Sequence, residues 1–211
     1  MKIAIIDYGM GNLRSVEKAF EKIGAEGAFV TDDPARVAGA DKAVLPGDGA
    51  FDATMRSLRR SGVDRVVLDF IASGRPFLGI CVGMQVLLTG SDEGEPGVRG
   101  LDVVPGRVRR FPAAPSKPDM PGLKVPQIGW NTVEFVPGSP LGADLPGADP
   151  MAYFLHSYFC APDDPADIAA TTDYGLPYCS ALHRDNVWTT QFHPEKSGPV
   201  GLAILRNFAR L

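Results

Sequence analysis

Two sequence periods alternate through the first half of the chain, and this alternation limits the fold more than any other feature. Ile3, Ala4, Ile5 and Ile6 form an unbroken apolar run with β-branched members, the pattern of a strand buried on both faces. Leu13, Val16, Phe20 and Ile23 then recur at helical spacing, and Gly24 follows as a stop. Strands are predicted over Ala28–Thr31 and Ala43–Leu45, the latter ending at Pro46-Gly47. Helices are predicted over Phe51–Ser61 and Val63–Ser73, before a buried strand over Pro76–Ile80. Strands alternating with helices build βαβ units, and βαβ units build a parallel sheet.

The second half has a different texture. Val103–Phe111 alternates Val and Arg, as a half-exposed strand does. Pro112, Pro115, Pro118 and Pro121 then mark an excursion that can be neither helix nor central strand. Strands are predicted over Gly129–Val136, Ala152–Phe159, Ile168–Thr172, Cys179–His183 and Val187–Phe192. A closing helix over Pro199–Arg210 turns Leu202, Leu205 and Phe208 inward. The expected class is α/β, a mostly parallel central sheet flanked by helices with an added antiparallel portion. Nothing between the halves has linker character, so residues 1–211 are expected to form one domain.

Composition narrows the function classes. The chain carries 21 Lys and Arg against 25 Asp and Glu, a net charge of −4 that lacks the footprint of a dedicated nucleic-acid binder. Arg56, Arg59, Arg60 and Arg65 form the best basic patch and read as a solvated helix face. Three cysteines, Cys81, Cys160 and Cys179, cannot all pair within one chain, and no export signal is evident. No apolar run reaches the ~18 residues of a membrane span. A cytoplasmic protein without membrane contact is expected.

Gly79-Ile80-Cys81-Val82-Gly83 is the most informative stretch. It lies between a buried strand and a candidate helix over Met84–Leu88, and it has the form of a nucleophile elbow with Cys in place of Ser. A sharp strand-to-helix turn strains the nucleophile's backbone, and side chains on the flanking residues would strike neighbouring strands. A helix beginning just past Cys81 favours the thiolate. A buried core cysteine at a strand end fits the pentapeptide equally well. Gln191-Phe192-His193-Pro194-Glu195 changes the balance, because a cysteine nucleophile needs a base and the base needs an orienting group. In an extended segment residues two apart share a side, so His193 and Glu195 can lean towards one site. Together the two segments complete a Cys-His-Glu triad.

The other candidates are weaker. His183 falls at a predicted hairpin turn and is expected to face solvent, while His156 ends a strand and could line a pocket. Cys160 and Cys179 lack glycine flanks and read as small core residues. Pro46-Gly47-Asp48-Gly49 follows a strand and allows N–H groups to turn inward, as an oxyanion hole requires, although a plain turn reads the same. Gly9-Met10-Gly11-Asn12-Leu13-Arg14 begins like a dinucleotide fingerprint, but Arg14 occupies the third-glycine position. No phosphate loop and no zinc-ligand spacing is present, so no cofactor and no metal is expected.

Gly79–Gln85 and Gln191–Ser197 resemble the two signatures of triad-type (class I) glutamine amidotransferases. Asp7–Ser15, Leu45–Phe51, Val125–Asn131 and Phe154–Tyr158 narrow the resemblance to the glutaminase subunits of imidazole glycerol phosphate synthase, the histidine-pathway enzyme. The resemblance implies that Cys81 attacks the glutamine carboxamide and forms a thioester, with His193 shuttling the proton and Glu195 orienting it. It places the N–H of Val82 and the Gly47, Asp48, Gly49 loop at an oxyanion hole, and Gln85, Glu93, His156 and Ser157 around the substrate. Asn12 and Trp130 lie in matching segments outside the triad and are expected at the interface with a partner. The implied partner is a separate cyclase subunit of (β/α)₈-barrel fold, forming a heterodimer that uses the released ammonia. Asp48 departs from the family pattern, which usually has an uncharged residue there. It is expected to turn outward or to cap the helix beginning near Ala50. Competing readings are an ammonia-supplying subunit of another amidotransferase, a stand-alone cysteine hydrolase, and a redox-sensing module built on Cys81.

Overall fold

The computed structural model describes residues 1–95, 97–112 and 124–211. Pro115, Pro118 and Pro121 of the proline-rich excursion lie outside the described residues.

The alternating first half folds as its periods require. Strand β1 (Ile3–Ile6) is fully buried and pairs in parallel with β2 (Ala28–Thr31) on one side and β3 (Lys42–Gly47) on the other. Helix α1 (Leu13–Lys22) connects the first two strands. The short helix α2 (Pro34–Ala38) leads into the third. Too short for periodicity to reveal, α2 carries a cap signal instead: Asp33 accepts from Ala35 N–H at 2.8 Å and Pro34 fills the first turn. Helices α3 (Phe51–Ser61) and α4 (Val63–Ala72) then meet at Gly62, whose φ of +73° suits glycine. Strand β4 (Phe77–Cys81) lies parallel to β3 and ends at the cysteine.

The expected helix over Met84–Leu88 is corrected. Helix α5 occupies only Val82–Gln85, and Leu88 opens strand β5 (Leu88–Ser91), which pairs in parallel with β6 (Val104–Arg110). Val86, Leu87 and Leu88 are all fully buried, and a short apolar run does not distinguish a buried helix from a strand. The strand expected over Gly129–Val136 is divided into β7 (Gln127–Thr132) and β8 (Glu134–Phe135). The one expected over Ala152–Phe159 breaks at Ser157 into β9 (Met151–His156) and β10 (Tyr158–Pro162). The break has a topological cause: β9 pairs with β7 in a separate two-stranded ribbon, whereas β10 enters the main sheet.

The chain closes with β11 (Ile168–Asp173), β12 (Pro177–Arg184), β13 (Val187–Thr190) and helix α6 (Gly198–Arg210). The main sheet runs β2-β1-β3-β4-β13-β12-β10-β6-β5, with β11 on β12 and β8 on β11. The stretch from β2 to β13 is parallel, and β12, β10 and β6 follow as the antiparallel portion. Helices α1 and α6 pack together through Phe20 and Phe208, whose ring centroids are 6.4 Å apart. In α6, Leu205 and Phe208 face inward as expected, but Leu202 is only half-buried and Ile204 fills the core beside them. His183 is not simply solvent-facing: its ring stacks on Trp188 with centroids 3.4 Å apart.

Candidate active site

Register places the site. Gly47 of β3 lies opposite Cys81 of β4, and Thr190 of β13 lies opposite Ile80, so three neighbouring parallel strands end together. Side chains just past these ends converge at the carboxyl edge of the sheet, where α/β folds place their ligands. Cys81 has φ +56° and ψ −114°, a strained conformation for a residue with a Cβ. The flanking glycines are steric requirements. A Cβ on Gly83 would collide with the Leu45 carbonyl, and one on Gly79 would stand 2.7 Å from the Gly83 carbonyl oxygen. Helix α5 supplies a single turn, less than the helix expected from sequence. Val82 is its first residue, so the Val82 N–H has no acceptor inside the helix.

Cys81 borders a cavity of about 240 Å³, shared with Asp48, Gly49, Val82, Gln85, Glu93, Pro126, Leu155, His156, Ser157 and Tyr158. His193 and Glu195 come together by a different geometry from the extended one expected. Strand β13 stops at Thr190, and Pro194–Lys196 forms a 3₁₀ turn that bends Glu195 back onto His193. Nδ1 of His193 lies 2.9 Å from Oε1 of Glu195, whose side chain is almost completely buried and whose Oε2 has no hydrogen-bond partner among the described residues. Burial alone would lower the pKa of His193. Hydrogen bonds to Cys81 and Glu195, together with their negative charges, outweigh it and raise the value to about 10. The arrangement sets the imidazole between the cysteine sulfur and the Glu195 side chain, a proton carrier beside a nucleophile.

The base is also tied to the two-stranded ribbon. The His193 N–H donates to the Tyr153 carbonyl at 3.0 Å. The Ser197 hydroxyl donates to the His193 carbonyl at 2.6 Å and accepts from the Tyr153 N–H at 2.9 Å.

Gln191 escaped the sequence reading of site residues, although it opens the segment that contains His193. Its Nε2 lies 3.8 Å from the Cys81 sulfur, while its Oε1 accepts from Gln85 Nε2 at 3.1 Å. Gln85 also donates to the Tyr158 carbonyl at 3.2 Å, so its amide hydrogens are engaged within the protein and Oε1 is what remains for a ligand. His156 is buried among Phe111, Phe154 and Tyr178, and protein groups occupy both of its ring nitrogens. It forms cavity wall without a free nitrogen. Ser157 lies at the β9–β10 break, half-buried, with its carbonyl accepting from Phe111 N–H at 3.1 Å.

Asp48 does not cap α3, which corrects the sequence expectation. The helix begins at Phe51, and Glu93 Oε2 accepts the Phe51 N–H at 2.8 Å in that role. Burial raises the pKa of Glu93, which lines the cavity as well. The Asp48 carboxylate is exposed and accepts from the Gly49 N–H at 2.8 Å. One donor expected at the oxyanion hole is therefore held by the neighbouring side chain. Asp48→Val is expected to release that N–H and raise glutamine hydrolysis by the isolated chain several-fold, with stability unchanged within about 0.5 kcal/mol. Steady-state assays and thermal melts of the isolated variant check this, and unchanged hydrolysis rejects it.

Asn12 is exposed and caps α1, its Oδ1 accepting from Ser15 N–H at 3.3 Å. Trp130 is 53% exposed on β7, packed edge-on to Tyr153, and joined on the outer face of the ribbon by exposed Ile128, Met151 and Leu155. Cys160 and Cys179 are buried, and the Arg56, Arg59, Arg60 and Arg65 face is exposed. Among the described residues no His, Cys, Asp and Glu cluster is arranged to hold a metal, and no helix is long and apolar enough to cross a membrane.

A cysteine elbow facing a His-Glu pair across the ends of a parallel sheet defines a class, and comparison with known proteins agrees. The model of the family described as glutamine amidotransferase class-I matches residues 4–211. Two solved structures share the fold: one described as a glutamine amidotransferase (TM-score 0.73, 17% identity, covering 100% of this chain and 98% of that one) and a glutamine amidotransferase from Thermotoga maritima (TM-score 0.62, 16% identity, 100% and 81%). Much nearer in sequence are proteins named imidazole glycerol phosphate synthase subunit HisH. The one from Geobacter sulfurreducens is 53% identical over 100% of this chain and 99% of its own. Those from Syntrophotalea carbinolica and Methanothermobacter thermautotrophicus are 52% and 51% identical, covering 98% and 99% of this chain and 98% of each relative. The chain belongs to the class-I glutamine amidotransferases and, within them, to the HisH family.

Proposed function

We propose that residues 1–211 form one glutaminase domain serving imidazole glycerol phosphate synthase in histidine biosynthesis, in the cytoplasm. The observation that carries this reading is the His193–Glu195 pair beside Cys81 at a cavity of metabolite size, in a chain of the HisH family. The Cys81 thiolate adds to the carboxamide carbon of L-glutamine, and the oxyanion is held by N–H groups of Val82 and the Gly47–Gly49 loop. As the C–N bond breaks, His193 gives its proton to the departing nitrogen and ammonia leaves. Neutral His193 then takes a proton from water, which attacks the thioester and releases glutamate. Glu93 faces the substrate's amino group, while Gln85, His156 and Ser157 shape the wall around its backbone.

Ammonia passes to a separate cyclase subunit of (β/α)₈-barrel fold, which makes imidazole glycerol phosphate and an aminoimidazole carboxamide ribonucleotide. The outer face of the β7–β9 ribbon fits a docking role, since Ile128, Trp130, Met151 and Leu155 together leave an apolar surface uncovered. Asn12, exposed at the start of α1, is assigned to the interface as well. In the deciding experiment the purified chain is mixed with the cyclase, and glutamate release is followed with and without the cyclase's own ligand. Hydrolysis that rises with both is expected, and a rate indifferent to the cyclase rejects the partnership.

Trp130→Ala tests the docking face. It should weaken cyclase binding by about 2 kcal/mol, close to thirtyfold, because an exposed Trp centred in an apolar patch is a typical anchor. The melting temperature of the free chain should scarcely move. Calorimetric titration and melting curves separate the two, and a large stability loss with unchanged affinity would assign Trp130 to packing.

A further inference from the structure

A buried polar chain runs behind the cavity, outside the proposed triad. The Tyr178 hydroxyl lies 3.3 Å from His156 Nε2 and 2.9 Å from Gln127 Oε1. On the other side of the ring, His156 Nδ1 is 2.7 Å from the Tyr158 carbonyl oxygen, which also receives Gln85 Nε2. Gln127, His156 and Tyr178 are 3%, 6% and 3% exposed. Proton counting fixes the directions. A carbonyl only accepts, so Nδ1 carries the hydrogen. Burial holds the His156 pKa down to about 4, so the ring is neutral and Nε2 is an acceptor. One Tyr178 proton cannot serve both Nε2 and Gln127 Oε1, and both contacts are satisfied only with the Gln127 amide turned over, its N–H towards the Tyr178 oxygen and the Tyr178 proton on Nε2. The Tyr158 carbonyl is held from two sides, at the β9–β10 break that forms the cavity wall.

We propose that Tyr178 is a positioning residue for glutamine: by donating to Nε2 it holds the His156 ring where Nδ1–H meets the Tyr158 carbonyl, and His156 in turn fixes the Ser157–Tyr158 wall against which the substrate lies. The inference rests on the glutaminase reading and deepens it. Nothing in the chain from Gln127 to Tyr158 touches the reacting atoms, so its effect falls on binding and not on chemistry. Gln127 opens β7 three residues before Trp130, so the same bonds attach the cavity wall to the ribbon.

Tyr178→Phe keeps the ring in its aromatic cluster and removes only the hydroxyl. In the complex with the cyclase, KM for glutamine should rise about tenfold with kcat within about twofold, as expected for loss of one buried hydrogen bond acting on binding. Ammonia-dependent synthesis should be unchanged. His156→Asn supplies a control, because its amide nitrogen replaces the Nδ1 donor while offering nothing to Tyr178. In that background Tyr178→Phe should leave KM where it is. Nitrogen NMR of wild type should find His156 protonated at Nδ1 alone, and Tyr178→Phe should leave that proton in place while shifting the Nε2 resonance, which loses its hydrogen bond. An unchanged KM in Tyr178→Phe, an equal KM rise in the His156→Asn background, or a proton on Nε2 in wild type each overturns the inference. A wild-type complex that hydrolyses no glutamine overturns the glutaminase reading itself, a result distinct from wild-type activity that Tyr178→Phe leaves untouched.

Discussion

Cys81→Ala should reduce glutamine-dependent synthesis by the assembled synthase to background, a loss on the order of 10⁵–10⁶ in kcat, as when a triad nucleophile is removed. Synthesis from added ammonium salt should survive at the wild-type rate, because the proposed function puts the ammonia-consuming chemistry on the partner. The substitution removes one sulfur from a site that is already buried, and Gly79 and Gly83 still permit the turn. Surviving glutamine-dependent turnover would remove Cys81 from the role of nucleophile. Loss of both activities would show that the complex had come apart.

Glu195→Gln should cost about 10⁴-fold in kcat for glutamine, in the range for neutralising the acidic member of a triad. Burial opposes the charge on His193, and Glu195 is one of two groups that overcome it. Without that carboxylate the imidazolium loses its proton at lower pH. With the His193 pKa raised to about 10, the alkaline limb of wild-type kcat/KM is expected near there. In the variant the limb should move to lower pH, and a pH–rate series on both proteins measures the difference. A parallel fall at every pH, with the limb unmoved, would mean that Glu195 orients the ring without stabilising its charge.

The parallel half of the fold was legible because its signals are local. Ile3–Ile6 and Phe77–Cys81 read as buried strands from unbroken apolar runs, and α3 was bounded by its own period. What remained illegible depended on distant partners. Val86–Leu88 offered an apolar run with no period to separate strand from helix, and β6 decided for strand. Ser157 gave no turn signal, since the break there exists because β9 and β10 join different sheets. The same division applies to the site. Cys81 and the His-Pro-Glu segment carry chemistry in their spelling, although His193 and Glu195 meet through a 3₁₀ turn and not along a strand. Gln191, Tyr178 and Gln127 are ordinary polar residues until folding brings them to sulfur or imidazole. Asp48 was misplaced for a similar reason, because the carboxylate that caps α3 comes from Glu93, far along the chain.

The β7–β9 ribbon stands outside the main sheet and has only two strands, a size that is marginal by itself in water. Its outer face buries little in the free chain, so its amides are the ones that should open and exchange with solvent first, well before those of β1, β3 or β4. His193 hangs from this ribbon by its own backbone N–H. In the free subunit, then, the nucleophile should rest on a slowly exchanging part of the molecule and the base on a faster one. A partner docked over Trp130, as proposed, should protect the ribbon and bring the two closer in rigidity.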